Sequence, residues 1–153
     1  MHMRMTPGRG MLLTAALACL SAAPASGDAP GLVVLMHQLQ THAHKAQLSI
    51  EARNEPLAHF YLHELEETSA YIADNIATYD EYPVGQLTRE MLLPAIEALE
   101  DVIETGDWSA GGTRFDALLD ACNACHTVTA HGYIRVAPAS GNPYAQDFAV
   151  SGQ

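Results

Sequence analysis

From about residue 32 onward, long stretches in which apolar side chains return every third and fourth position alternate with short stretches in which they do not. The first long stretch, 32–53, puts Leu32, Leu35, Leu39, His42, Ala46, Ser49 and Ile50 on one stripe, the period of an amphipathic helix and not of a strand. His42 therefore faces inward. Asn54-Glu55-Pro56 breaks the pattern and restarts it, because proline is tolerated in a first helical turn. The second stretch, 57–79, carries Ala58, Tyr61, Leu62, Leu65, Ser69, Ile72 and Ile76, with Glu64, Glu66 and Glu67 on the solvated side. Pro83 and Gly85 mark a connection over 79–85.

The third stretch, 87–105, carries Met91, Leu92, Ala95, Leu99, Val102 and Ile103, and Pro94 within it either begins the main helix or kinks a longer one. Gly106 ends this stretch, and Asp107 is the expected N-cap of a fourth, which carries Trp108, Phe115, Leu118 and Leu119. Gly111-Gly112 lowers helix propensity there but lets a neighbour approach the backbone closely. Beyond Gly132 no helical period survives, so 132–153 is expected to be an irregular tail. No stretch reads as a strand. The pattern predicts an all-α protein, an antiparallel four-helix bundle, as a single domain over 26–153.

The N-terminus changes the setting. Arg4 and Arg9 precede the apolar run Met11 to Leu20, and Ala23-Pro24-Ala25 supplies small residues at a cleavage position. This is the pattern of a secretory signal peptide over 1–25, cleaved near Ala25, and the apolar run is too short to span a bilayer. A lipoprotein reading at Cys19 fits less well, since Ala16-Leu17-Ala18 departs from a leucine-led lipobox. Periplasmic export without membrane insertion is the expectation. Cleavage also sharpens the charge: the seven basic residues lose Arg4 and Arg9, so 5 face 18 acidic ones and the net charge goes from -11 to -13. Such a surface disfavours nucleic acid and anionic membranes and suits cationic partners.

After cleavage the remaining cysteines are Cys122 and Cys125, within Cys122-Asn123-Ala124-Cys125-His126. Two cysteines three apart followed by histidine form the attachment pattern of a c-type haem, in which each thiol adds to a porphyrin vinyl group and the histidine ligates iron. On a helix, residues three apart project from nearly one side, so both sulfurs reach one edge of a macrocycle. Three other readings compete. A thioredoxin-like dithiol wants a preceding strand, whereas Phe115 to Leu119 has helical spacing. A structural zinc site would recruit Cys122, Cys125, His126 and His131, without a second ligand pair at finger-like spacing. Two thiols packed as small hydrophobes are the remaining reading, and export to an oxidising compartment argues against it.

Four helical segments with CxxCH near the end of the last resemble the class II c-type cytochromes, the cytochrome c′-like four-helix-bundle monohaem family. The likeness spans the mature chain in architecture, and its specific part is Cys122, Cys125 and His126. Gln40 to Lys45, Tyr61 to Glu67 and the stretch from Ala121 through Ile134 also look like a group of exported monohaem proteins. The resemblance implies one covalent haem c in a periplasmic protein. Family members commonly place a basic residue shortly after the motif, whereas Thr127-Val128-Thr129-Ala130 is neutral and Arg135 comes later. Relatives also form homodimers through the first two helices, a pairing that Glu51, Glu55, Glu66, Glu67 and Asp74 oppose by like-charge repulsion here.

The resemblance puts the residue opposite His126 on the first helix. His42, on the inward stripe, is the first candidate for a distal iron ligand and Met36, at its edge, the second. His63 borders the second helix's stripe, His37 and His44 are expected to be mostly exposed, and His131 belongs on the proximal or propionate side. A tight sixth ligand means an electron carrier serving a periplasmic redox partner. An open distal face means a protein that binds nitric oxide or carbon monoxide. An enzyme such as a peroxidase wants a distal base beside an arginine, and Arg53 stands about three turns from His42, so the expectation is not an enzyme.

Overall fold

The computed structural model describes residues 30–150. The leader expected over 1–25, with Cys19 in it, lies outside these residues. Four helical segments and, among the described residues, no named strand make the architecture: α1 (Leu32–Glu51), α2 (Glu55–Asn75), a third segment running 84–104, and α5 (Trp108–Val128). The third is built of α3 (Val84–Leu87), a π-helical turn (Thr88–Leu92) and α4 (Leu93–Glu104). No described helix is long and apolar enough to cross a membrane.

The helix ends explain the compact turns. After α1, Arg53 takes φ 52°, its N–H donates to the Ile50 carbonyl and that of Asn54 to Ser49, a Schellman stop. Asn54 then caps the next helix, its side chain accepting the Leu57 N–H at 3.4 Å. The device recurs after α4, where Gly106 (φ 70°) reverses the chain and the Asp107 N–H reaches the Val102 carbonyl. Asp107 caps α5 as the pattern predicts, accepting from the Ala110 N–H at 3.1 Å. That bond and the Ser109 hydroxyl bond, the larger cause, hold its carboxyl below the usual range.

Two boundaries differ from expectation. α2 ends at Asn75, and the third segment starts at Val84, three residues early. Gly85 is buried inside it, not in a loop, because a Cβ there would stand 2.8 Å from the Ile76 carbonyl oxygen and 2.9 Å from that of Ala73; only glycine lets the helix start against the end of α2. Pro94 stands in the first turn of α4, the longest helix of the segment, which is one of the two expected placements. The π turn immediately precedes it, with the Leu93 N–H reaching back to the Thr88 carbonyl, so the register shifts where proline can supply no N–H.

A single core cluster joins all the segments, with Leu62, Ile72, Ile96, Leu99, Ile103 and Leu118 fully buried. Its buried hydroxyls are satisfied within their own helices: Ser49 donates to Lys45, Ser69 to Leu65 and Thr88 to Val84. Gly111 admits close neighbours, since a Cβ would meet Ile50 at 3.2 Å and Ile103 at 3.3 Å, whereas Gly112 faces open space.

Beyond Val128 the described chain has no helix but is tied down along its length. Asn123 holds Val136, His44 Nε2 lies 3.0 Å from the Ala137 carbonyl, and Gln47 holds Ala139. Further along, the Tyr61 hydroxyl donates to Gln146 at 2.6 Å and Asn54 donates to the Phe148 carbonyl at 3.0 Å. Phe148 joins the core. Lys45 Nζ stands 5.1 Å over the Tyr61 ring and 5.0 Å over that of Tyr144, a geometry in which the ring faces attract the cation.

Candidate functional site

Cys122, Cys125 and His126 occupy the last two turns of α5 and line one largely apolar cavity of about 340 Å³. The opposite walls come from α1, through Leu32, Val33, Met36, His37, Leu39, Gln40 and Ala43, and from Leu65, Tyr79, Val84, Thr88 and Leu92. The chain beyond α5 closes another side with Thr129, His131, Ile134 and Val136. That closure depends on a third Schellman stop: Ala130 takes φ 60°, and the His131 N–H donates to the His126 carbonyl at 2.7 Å. The chain turns back at once, bringing the Ile134 carbonyl to 2.9 Å from His126 Nδ1. A carbonyl only accepts, so Nδ1 carries a proton, and in the neutral ring the lone pair is then on Nε2.

The thiols sit where reactive dithiols do not. Burial, with the Cys125 thiolate as the next cause, pushes Cys122 up to about 11, and burial raises Cys125 as well. A nucleophilic CxxC lies at a helix N-terminus that stabilises the thiolate, whereas this one lies at the C-terminal end of α5. The pair has the character of protonated thiols facing an apolar space. Nor do Cys122, Cys125, His126 and His131 gather as zinc ligands: among the described residues no group of three or more His, Cys, Asp or Glu side chains is arranged to hold a metal ion.

The other histidines are distributed in a way the sequence does not reveal. His42 does not line the cavity; its Nδ1 is buried without a hydrogen-bond partner, and its ring lies 6.3 Å from that of Tyr61. Met36, the second distal candidate, does line it, and so do the exposed His37 and Gln40. The stripe alone cannot separate these positions, because α1 buries one flank against α2 and another against the cavity. His44 engages the tail instead of standing free. His63 is exposed and pairs with Glu67 at 3.4 Å. His131 lines the cavity with its Nδ1 donating to the Thr129 carbonyl at 2.6 Å and its Nε2 3.8 Å from Asp80.

Asp80 is presented by a tight turn in which Asp80 (φ 46°) and Glu81 (φ 70°) are both left-handed, closed by paired backbone hydrogen bonds between Tyr79 and Tyr82. Such turns ordinarily carry Asn-Gly, which is why sequence reading finds a connection but not this hairpin. Asn123 and Gln47 escape sequence reading too. Their partners are backbone groups in the tail, and nothing in local composition announces such bonds. Comparison with protein-family models, curated proteins and solved structures found no match to this chain.

Proposed function

We propose that this chain is an exported monohaem electron carrier, with one haem c joined by thioether bonds to Cys122 and Cys125 and held through iron by His126. The observation that carries this reading is that the three side chains of the motif line one apolar cavity while His126 Nδ1 is committed to the Ile134 carbonyl, so that Nε2 is the nitrogen left for iron. The residues present fit the group: two protonated thiols, a tautomer-fixed imidazole and apolar walls. When bound, the haem supplies reversible one-electron exchange between ferric and ferrous iron.

The chain's own residues do the rest. Leu39, Leu65, Leu92 and Leu118 would exclude water from a haem held here, and Ile134 and Val136 of the tail line the same cavity. In its finer form the fold reading is an antiparallel bundle of the class II cytochrome kind, with the haem on its last helix. The acidic surface suits a periplasmic redox partner that presents basic groups. The proposal is of a carrier and not an enzyme.

For the sixth iron position Met36 replaces His42 as the candidate, since Met36 shares the cavity with His126 and His42 does not. The same observation favours a second reading, a protein with an open distal face that binds nitric oxide or carbon monoxide. Absorption and electron paramagnetic resonance spectra of the exported holoprotein, ferric and ferrous, with and without carbon monoxide, separate the two. The carrier is expected to be low-spin and insensitive to carbon monoxide, with Met36→Leu turning it high-spin. A high-spin wild type that binds carbon monoxide supports the gas-binding reading. Absence of covalent haem, in a host with working attachment machinery, overturns both.

A further inference from the structure

Asn123 stands between the two cysteines, where the attachment chemistry asks nothing of the side chain. It is nevertheless fully engaged: Nδ2 donates to the Val136 carbonyl at 2.9 Å, and Oδ1 accepts the Val136 N–H at 2.8 Å. Two residues earlier in the tail is Ile134, whose carbonyl accepts from His126 Nδ1 at 2.9 Å. Ile134 itself is 47% exposed. Its carbonyl is held by ties on either side, the Ile134 N–H to the His131 carbonyl at 2.8 Å and the Asn123 clamp on Val136.

We propose that Asn123 is a positioning residue for the iron ligand: by pinning Val136 it keeps the Ile134 carbonyl on the His126 Nδ1–H and so sets the reduction potential. This rests on the haem reading of the cavity. The physical link is the acceptor on Nδ1. A carbonyl drawing on that proton makes Nε2 a stronger electron donor, which favours ferric over ferrous iron and lowers the potential. Releasing Val136 frees the tail to move, weakens that acceptor and raises the potential. Gln47 provides the control, because it clamps the same tail by the same pair of bonds at Ala139, five residues beyond Ile134.

The test compares holoproteins of wild type, Asn123→Ala, Asn123→Asp and Gln47→Ala by equilibrium redox titration and by solvent exchange of the His126 Nδ1 proton in the hyperfine-shifted proton spectrum. Asn123→Ala removes both bonds and is expected to raise the potential and to speed exchange roughly thirtyfold, the ratio that loss of two hydrogen bonds of ordinary net strength gives. Asn123→Asp keeps the acceptor for the Val136 N–H and loses the donor, so its exchange rate should fall between; because its added negative charge lowers the potential by itself, exchange is the readout that carries the test if the alanine variant does not fold. Gln47→Ala should leave both readouts at their wild-type values. Unchanged potential and exchange in the Asn123 variants, with covalent haem present, overturn the proposal, and so does a Gln47→Ala shift as large as theirs. A wild type without covalent haem overturns the underlying haem reading and this proposal with it, an outcome the spectrum distinguishes before any titration.

Discussion

The side chain of Gln47 holds both backbone groups of Ala139, its Oε1 accepting the Ala139 N–H at 2.8 Å and its Nε2 donating to the Ala139 carbonyl at 3.3 Å. A glutamine on the core side of α1 thus serves as the edge on which the tail rests. Gln47→Ala removes both bonds and a third, from Nε2 to Glu51 Oε1 at 2.7 Å, and with each contributing a net 0.5–1.5 kcal/mol the expected cost is about 1.5–4.5 kcal/mol. Urea unfolding measures it.

Gly85 tests how closely the third segment must pack on α2. A methyl group there would stand under 3.0 Å from two backbone carbonyl oxygens, those of Ile76 and Ala73, and backbone yields less readily than a side-chain tip. Gly85→Ala should destabilise by about 1–3 kcal/mol, the ordinary cost of overpacking. An unchanged melting temperature would contradict the close approach.

Ala130 predicts the opposite sign. It ends α5 in the left-handed region at φ 60°, where a Cβ costs roughly 1–2 kcal/mol and glycine is at ease. Ala130→Gly should stabilise by about 0.5–1 kcal/mol after the extra freedom of the unfolded chain is set against the gain, with the haem spectrum unaltered. Thermal unfolding and an absorption spectrum check both parts.

Glu100 gives a pH dependence. Burial, then the neighbouring Glu66 and Glu104 charges, raise its pKa above the usual glutamate value. The folded protein therefore holds this proton more tightly than the unfolded chain does, and stability from this site is complete at low pH and is lost as pH rises through the raised value. Glu100→Gln should melt higher than wild type at pH 7, and the difference should close as the pH is lowered below the ordinary carboxylate range. Melting curves across that window decide it.

His42 is the clearest case of a residue whose surroundings differ from its stripe. A buried nitrogen without a partner gains nothing from being polar, so His42→Leu should be neutral or mildly stabilising, by up to about 1 kcal/mol. Because His42 is not part of the cavity lining, the haem spectrum should not change. A switch to high-spin on this substitution would restore His42 as the sixth ligand.

Much of the fold was legible because helices announce themselves locally. The stripe from Leu35 through Ile50, the restart at Asn54-Glu55-Pro56 and the Gly106-Asp107 junction are each written within a few neighbouring residues, since a helix's period, cap and stop depend on side chains three or four apart. The CxxCH motif is equally local, and three residues of fixed spacing are enough to propose haem attachment. Which flank of α1 faces the cavity is not local. His42 and Met36 lie on the same helix, and packing against α2, not periodicity, decided that one meets Tyr61 and the other meets the space beside His126. The tail has no period at all. Its course follows from backbone hydrogen bonds to Asn54, Gln47 and Asn123, contacts spanning 13 to 94 positions, and such pairings exist only once the helices have brought their partners together.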